Sequence, residues 1–204
     1  MSEANVDVVV FDLGGVLVDW DPRYLYAKLI PDEAERERFL SEVCNMEWNH
    51  RLDRGIPFST AVKAKQSEHP DWAEHIAAYH ERWPEMLGDA IEGSVQILEE
   101  LQAKDVRLFA LTNWSAETFP FAEAKYPFLS VFEDIVVSGQ ERMAKPEIDF
   151  YCLLTDRHGL DASRCLFIDD REKNVQAARL AGMQAVTFTT PEALRKDLKA
   201  KSVL

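Results

Sequence analysis

Cysteine is scarce in this chain. Cys44, Cys152 and Cys165 are an odd set at wide spacing, with no C-x-x-C pair, which excludes a disulfide framework and leaves reduced thiols. Positive charge is also short: 23 Lys and Arg stand against 36 Asp and Glu, a formal net charge of −13. Such a field repels phosphate backbones and argues against a nucleic-acid or anionic-membrane partner. An anionic small substrate would therefore need local positive charge. No run approaches the roughly 18 apolar residues of a membrane span. The N-terminus, Met-Ser-Glu-Ala-Asn-Val-Asp, lacks the basic start and apolar stretch of a signal peptide. Internal repeats and low-complexity tracts are missing too. A cytoplasmic protein is expected.

What is present is enough apolar sequence for a core. The 204 residues are 47% apolar and 29% charged, suited to one domain or one core with an insertion. Short, largely β-branched runs at 6–11, 106–111, 134–137, 164–168 and 185–188 are separated by helix-like segments near 94–104, 116–125, 147–158 and 171–181. That alternation predicts βαβ units and an α/β fold, a parallel sheet covered on both faces. Residues 18–90 show no strand-like run. Breakers at Pro22, Pro31, Gly55-Ile56-Pro57 and Pro70 divide them into four expected helices, about 22–29, 32–45, 58–67 and 71–86. The expected organisation is a core of 1–17 and 91–204, with a helical insertion at 18–90 placed as a lid over the strand ends. The residues after Pro191 read as a terminal helix.

In such sheets ligands sit beyond the carboxyl ends of the strands, and polar residues cluster there. Asp12 ends the first run and precedes Gly14-Gly15. A carboxylate is ionised at neutral pH and can attack phosphorus or an alkyl carbon without a separate base. An aspartate capping its own turn would look the same. Thr112 and Asn113 close the second run with groups able to donate to an anionic oxygen, or to cap a turn. Lys145, just before Pro146, can neutralise a nucleophilic carboxylate and a bound phosphate, or be a solvated loop lysine. Asp169-Asp170 puts two carboxylates at a strand end, costly unless a cation or proton lies between them. Oxygen donors facing a crevice suit Mg²⁺.

Taken together, Asp12, Thr112-Asn113, Lys145 and Asp169-Asp170 resemble, in order, the four motifs of the haloacid dehalogenase superfamily, and 18–90 resembles its cap. The stretches Asp-Leu-Gly-Gly-Val-Leu-Val-Asp-Trp and Ala-Leu-Thr-Asn-Trp-Ser are similar to the capped phosphatase branch that includes glucose-1-phosphate phosphatases and the phosphatase domain of soluble epoxide hydrolase. The resemblance implies a Rossmann-like parallel sheet and a Mg²⁺-dependent phosphatase acting on a small phosphomonoester such as a sugar phosphate. Asp12 would be the nucleophile, forming an aspartyl-phosphate. Mg²⁺ would be held by Asp12, the Gly14 carbonyl and Asp170, with Asp169 close by. Thr112 and Asn113 would bind phosphoryl oxygens, and Lys145 would orient Asp12 and bind substrate.

One position departs from the commoner pattern. Many phosphatases of the superfamily carry an acid–base aspartate two residues after the nucleophile, and this chain has Gly14 there. A substrate with a good leaving group, such as a sugar anomeric oxygen, would tolerate the loss. Gly14 and the spacing from Lys145 to Tyr151 also resemble 2-haloacid dehalogenases, but those usually have Ser and Asn where this chain has Asp169-Asp170. A non-catalytic binding module is the remaining alternative. In the helical insertion, Trp20, Trp48, Asn49, His50 and Arg51 are candidates to reach a substrate. Trp72, Trp83 and Trp114 are expected to pack. Asp19 is expected in the turn into the insertion, and His75 and His80 on solvated surface. The five histidines have no ligand spacing for zinc.

Overall fold

The computed structural model describes residues 5–204; residues 1–4, where the expected core segment and the polar N-terminus begin, lie outside them. Strand β1 (Val8–Phe11) runs into a tight loop and β2 (Val18–Trp20). Five helices follow: α1 (Arg23–Leu29), α2 (Glu33–Arg38), α3 (Met46–Asp53), α4 (Phe58–Glu68) and α5 (Ala73–Glu81). They end at β3 (Leu87–Ala90). The rest alternates: α6 (Glu92–Gln102), β4 (Arg107–Thr112), α7 (Phe119–Lys125), β5 (Asp134–Val137), α8 (Ser138–Glu141), α9 (Ile148–His158), β6 (Cys165–Asp169), α10 (Glu172–Leu180), β7 (Gln184–Thr187) and α11 (Pro191–Ala200).

The main sheet is parallel, ordered β5-β4-β1-β6-β7, as the alternation predicts. Period-2 alternation divides its side chains between two cores. Val9, Phe11, Leu108, Ala110, Leu166 and Ile168 point to one face, where α6 and α11 add Ile97, Leu98, Leu194 and Leu198. Val8, Val10, Phe109, Leu111 and Phe167 point to the other, covered by Phe150, Tyr151 and Leu154 of α9 and Val175 and Ala178 of α10. Each fully buried side chain of this size contributes about 1.5–3 kcal/mol, so both faces hold the sheet. Register then places the chemistry. Phe11 lies opposite Ala110 on one side and Ile168 on the other, so Asp12, Thr112-Asn113 and Asp169-Asp170 emerge at one edge.

Three features of residues 18–90 differ from the sequence reading. The stretch is bounded by strands: β2 pairs antiparallel with β3, with Val18 opposite Ala90 and Trp20 opposite Leu87. Strands of three or four residues, one of them Leu-Gly-Asp-Ala, carry too little β-branched sequence to be seen. Second, the expected helix 32–45 ends at Arg38 and passes through a π-helical turn, Phe39–Val43. Asn45 then starts α3, its side chain accepting from Trp48 N–H at 2.9 Å. That helix was not expected, because its polar sequence shows little apolar periodicity. Third, 71–86 is broken into 3₁₀ turns at Pro70–Trp72 and Trp83–Met86 flanking α5. Among the described residues no helix is long and apolar enough to cross a membrane.

The end of α3 is clamped to the sheet side by backbone-to-backbone packing. Gly55 adopts φ +86°, and a Cβ there would lie 2.8 Å from the Gly139 carbonyl oxygen. A Cβ on Gly139 would in turn meet the Trp114 carbonyl oxygen at 2.8 Å. Ser138 Oγ donates to the Asp53 carbonyl at 2.5 Å and accepts from Trp114 N–H at 2.9 Å. Gly139→Ala therefore forces rigid backbone apart and should cost about 1–3 kcal/mol. A thermal melt should show a Tm lowered by roughly 2–4 °C per kcal/mol lost.

Candidate active site

Asp12 leaves β1 with its N–H still donating to the Ile168 carbonyl at 2.8 Å. Its Oδ1 accepts from Leu13 N–H at 2.7 Å. The loop beyond it is anchored by buried Leu13, Val16 and Leu17 and closed by N–H groups of Leu17 and Val18 on the Leu13 carbonyl, 2.8 and 2.9 Å. Gly15 turns with φ +75°, and a Cβ there would lie 2.8 Å from Asp170 Oδ2. Glycine is needed at 15 because the Asp170 carboxylate rests against the loop.

Lys145 is the centre of charge. Its Nζ lies 2.8 Å from Asp12 Oδ2 and 2.7 Å from Asp169 Oδ2, with the side chain 1% exposed. Asn113 grips its backbone from both sides: Nδ2 donates to the Lys145 carbonyl at 3.0 Å, and Oδ1 accepts from Lys145 N–H at 2.9 Å. Asp169 is fully buried and also accepts from Arg171 N–H at 2.8 Å and from Asn174 Nδ2 at 3.0 Å on each oxygen. Burial pushes the Asp12 carboxyl up to about 7, helped by Asp169 and opposed by Lys145. Burial also works against the Lys145 charge, but Asp12 and Asp169 outweigh it and hold the ammonium above its usual range. Asp169 lies below the usual carboxylate range: Lys145, the Arg171 N–H and its other hydrogen bonds overcome its burial. Burial, with Asp169 beside it, raises Asp170, against the pull of Arg171.

A cavity of about 350 Å³ lies between these strand ends and the helical insertion. Asp12, Gly14, Asn113, Lys145 and Asp170 line its sheet side, and Trp20, Leu40, Met46, Asn49, His50, Asp53, Tyr79 and Trp83 its other wall. Of the residues singled out in the sequence, Thr112 and Asp169 are not in this lining. Thr112 is 1% exposed at the end of β4, and Asp169 faces Lys145. Of Asp12, Asp169 and Asp170, the first and last are open to the cavity. Trp20, Asn49 and His50 do border it; Arg51 is exposed outside it, and Trp48 is buried edge-on against Tyr79, ring centroids 5.0 Å apart. Trp83 and Trp114, expected only to pack, line the cavity and touch each other at 5.5 Å. His75 lies partly buried against Phe39 and Trp72, while His80, its side chain 40% exposed as expected, also stacks on Phe58 at 4.4 Å. Asp19 accepts from the Tyr24 hydroxyl in the turn entering the insertion.

The charged and polar cavity residues not singled out in the sequence include Asp21, Arg23, Asp53, Arg171, Lys173 and Asn174. The Arg171 guanidinium, 3.2 Å from His50 Nε2, and Lys173 supply positive charge that the overall composition lacks. Burial, with Arg171 and Lys173 nearby, lowers the His50 pKa. Asp53 is 8% exposed; its Oδ2 accepts from Asn49 Nδ2 at 2.9 Å, and Tyr79 donates to Asn49 Oδ1 at 2.8 Å. Burial holds its carboxyl well above the usual range, against Arg171 and a hydrogen bond from Ser115 N–H. In the sequence nothing in the polar run around it marks a buried carboxyl.

Asp12, Asp169 and Asp170 offer carboxylate oxygens all within 4.8 Å of one another. An oxygen-only donor set of this kind fits a hard divalent cation.

Removing Lys145 would leave two buried carboxylates facing each other. Lys145→Ala should cost about 3–5 kcal/mol at neutral pH, the penalty for breaking a buried ion pair. The folded carboxylates would then hold protons that the unfolded chain has already released, so stability should recover as pH falls and decline as it rises. Denaturant unfolding at several pH values measures both effects.

Residues 6–182 match the haloacid dehalogenase-like hydrolases. A sesquiterpene phosphatase of Aspergillus oryzae is 27% identical over 192 residues, 93% of each chain. The phosphoglycolate phosphatase of Escherichia coli is 26% identical over 207 residues, 89% of this chain and 80% of that one. The fold is shared with a solved HAD-family enzyme of Bacteroides thetaiotaomicron, a complex with magnesium and inorganic phosphate: TM-score 0.68 at 21% identity, covering 91% of this chain and 96% of that one. With most of its length inside the family match and the four motifs gathered at one sheet edge, the chain belongs to the haloacid dehalogenase-like hydrolase family.

Proposed function

We propose that this hydrolase is a Mg²⁺-dependent phosphatase that cleaves a small phosphomonoester through an aspartyl-phosphate on Asp12. The observation that carries this reading is the buried Lys145 ammonium set between Asp12 and Asp169, with Asp170 open to the same cavity. Asp12 attacks phosphorus and the ester oxygen departs; water then attacks the phosphoenzyme and frees Asp12 and phosphate. In phosphoryl transfer the protein's work is mostly positioning and charge stabilisation. Lys145, its backbone held by Asn113, orients Asp12 and faces the phosphoryl oxygens, with Thr112 buried behind them at the end of β4, while Arg171 and Lys173 draw the anion in against the negative field of the chain. Asp12, Asp170 and the Gly14 carbonyl would hold Mg²⁺, with Asp169 behind them, and the ion would keep Asp12 ionised and offset phosphate charge.

Residues 18–90, tied off by the β2–β3 pair, act as the cap and 1–17 with 91–204 as the catalytic core. Trp20, Trp83, Trp114 and Leu40 give the leaving group an apolar wall, and Asn49 and His50 give it polar contacts. A sugar phosphate with one apolar ring face fits such a wall. Two phosphatase relatives favour this reading over a haloacid dehalogenase, in which Asp12 and Asp170 would face a carboxylate substrate in one cavity. The retained Asp12, Lys145 and Asp170 count against a non-catalytic module. Three free cysteines suit a reducing, cytoplasmic setting.

Purified protein should hydrolyse p-nitrophenyl phosphate with Mg²⁺, stop on addition of chelator and recover when Mg²⁺ is restored. Asp12→Asn should show no turnover under any of these conditions. Turnover that persists in chelator, or in the variant, would sink the proposal.

A further inference from the structure

We propose that Asp53, carried by the helical insertion, is the acid–base residue of this site: it protonates the departing ester oxygen and then takes a proton from the attacking water. The inference rests on the phosphatase reading above and says which residue does the work that Gly14 cannot. An ideal Cβ on Gly14 would meet nothing within 4 Å, so the position two residues after Asp12 is open space within the cavity. Asp53 borders that cavity from the opposite wall. Lys145 and Asn113 occupy the sheet side, so the ester oxygen of a substrate attacked by Asp12 points towards the wall that holds Asp53.

Asp53 is held rather than mobile. Asn49 Nδ2 donates to its carboxyl, Tyr79 fixes Asn49, and Ser138 Oγ holds the Asp53 carbonyl. The Gly55–Gly139 contact brings this end of α3 down onto the loop that follows Thr112 and Asn113. The ionisable groups around it are His50, whose Nδ1 is 3.9 Å from Oδ2, Tyr79 on α5, Arg171 beyond β6, and Lys145 and Asp12 across the cavity. Burial favours the neutral acid in the resting site, and Arg171 with the Asn49 amide stabilises the carboxylate once the proton has gone.

The steps balance. As the Asp12 oxygen bonds to phosphorus and the phosphorus–ester oxygen bond breaks, the Asp53 proton passes to that oxygen and an alcohol leaves. Water then bonds to phosphorus, its proton goes to Asp53, and the bond from phosphorus to Asp12 breaks. One ester and one water become one alcohol and one phosphate.

The test compares two esters that share a ring, p-nitrophenyl phosphate and 2-(4-nitrophenyl)ethyl phosphate, whose alkoxide leaves poorly without a proton. Asp53→Asn should lower kcat/KM for the alkyl ester by about 10²–10⁴-fold, and far less for the aryl ester. With the aryl ester its kcat should also fall, and a burst of p-nitrophenolate should mark phosphoenzyme that lacks a base. Equal losses for both esters, or no loss, would overturn the assignment and leave the phosphatase standing. In the unaltered protein kcat/KM should change little with leaving-group pKa across a series of esters; a steep dependence would overturn the assignment even if the variant does not fold. No turnover of either ester by the unaltered protein would remove the phosphatase reading itself.

Discussion

A single ammonium set between two carboxylates organises this molecule. Lys145 Nζ sits within 2.8 Å of both Asp12 and Asp169, almost sealed from solvent. Neither carboxylate could stay ionised there alone, and the lysine could not stay charged without them. The surrounding structure serves that arrangement. Adjacent strands β1 and β6 deliver the two aspartates at matching heights, Asn113 pins the lysine backbone from β4, and Asn174 and the Arg171 N–H take the remaining lone pairs of Asp169. Asp12, Asp169 and Asp170 crowd carboxylate oxygens beside one cation at the cavity floor, which is the condition a divalent cation relieves.

The opposite wall follows a different logic. Its aromatic side chains join the same hydrophobic cluster as one face of the sheet, so insertion and sheet share a core. The polar residues on it, Asn49, His50 and Asp53, come from one helix, with Asn49 and Asp53 four residues apart and so on one face. A short helix that is mostly polar gains little from burying itself; its position comes from the Asn45 cap, from Trp48 and Leu52, and from the glycine contact at Gly55.

Much of the fold was legible. Buried parallel strands read as continuous apolar runs, and β5 was placed to the residue. The motif residues were legible because strand ends punctuate those runs with polar side chains. The weak points share a cause. Where β2, β3 and α3 form, the stabilisation is tertiary: backbone pairing between positions far apart in the chain, an N-cap, and glycines whose worth appears only when a second chain segment lies on them. Asp53 was hidden for the same reason, since nothing in Asn-His-Arg-Leu-Asp distinguishes a buried carboxyl from a solvated one. Arg171 and Asn174 were nearer to view, because they follow Asp169-Asp170 at fixed spacing in the turn that starts α10.

The β2–β3 pair has a consequence for descent. Because the insertion begins and ends in two adjacent, hydrogen-bonded strands outside the main sheet, its length and helical content can change without altering the path of any strand in that sheet. Over generations such a joint lets a lineage rebuild the helical wall while the carboxylates and lysine at the strand ends are inherited intact. The bond from Ser138 to the Asp53 carbonyl and the Gly55–Gly139 contact set the boundary of that freedom, since the helix docked there must keep its landing point whatever else is exchanged.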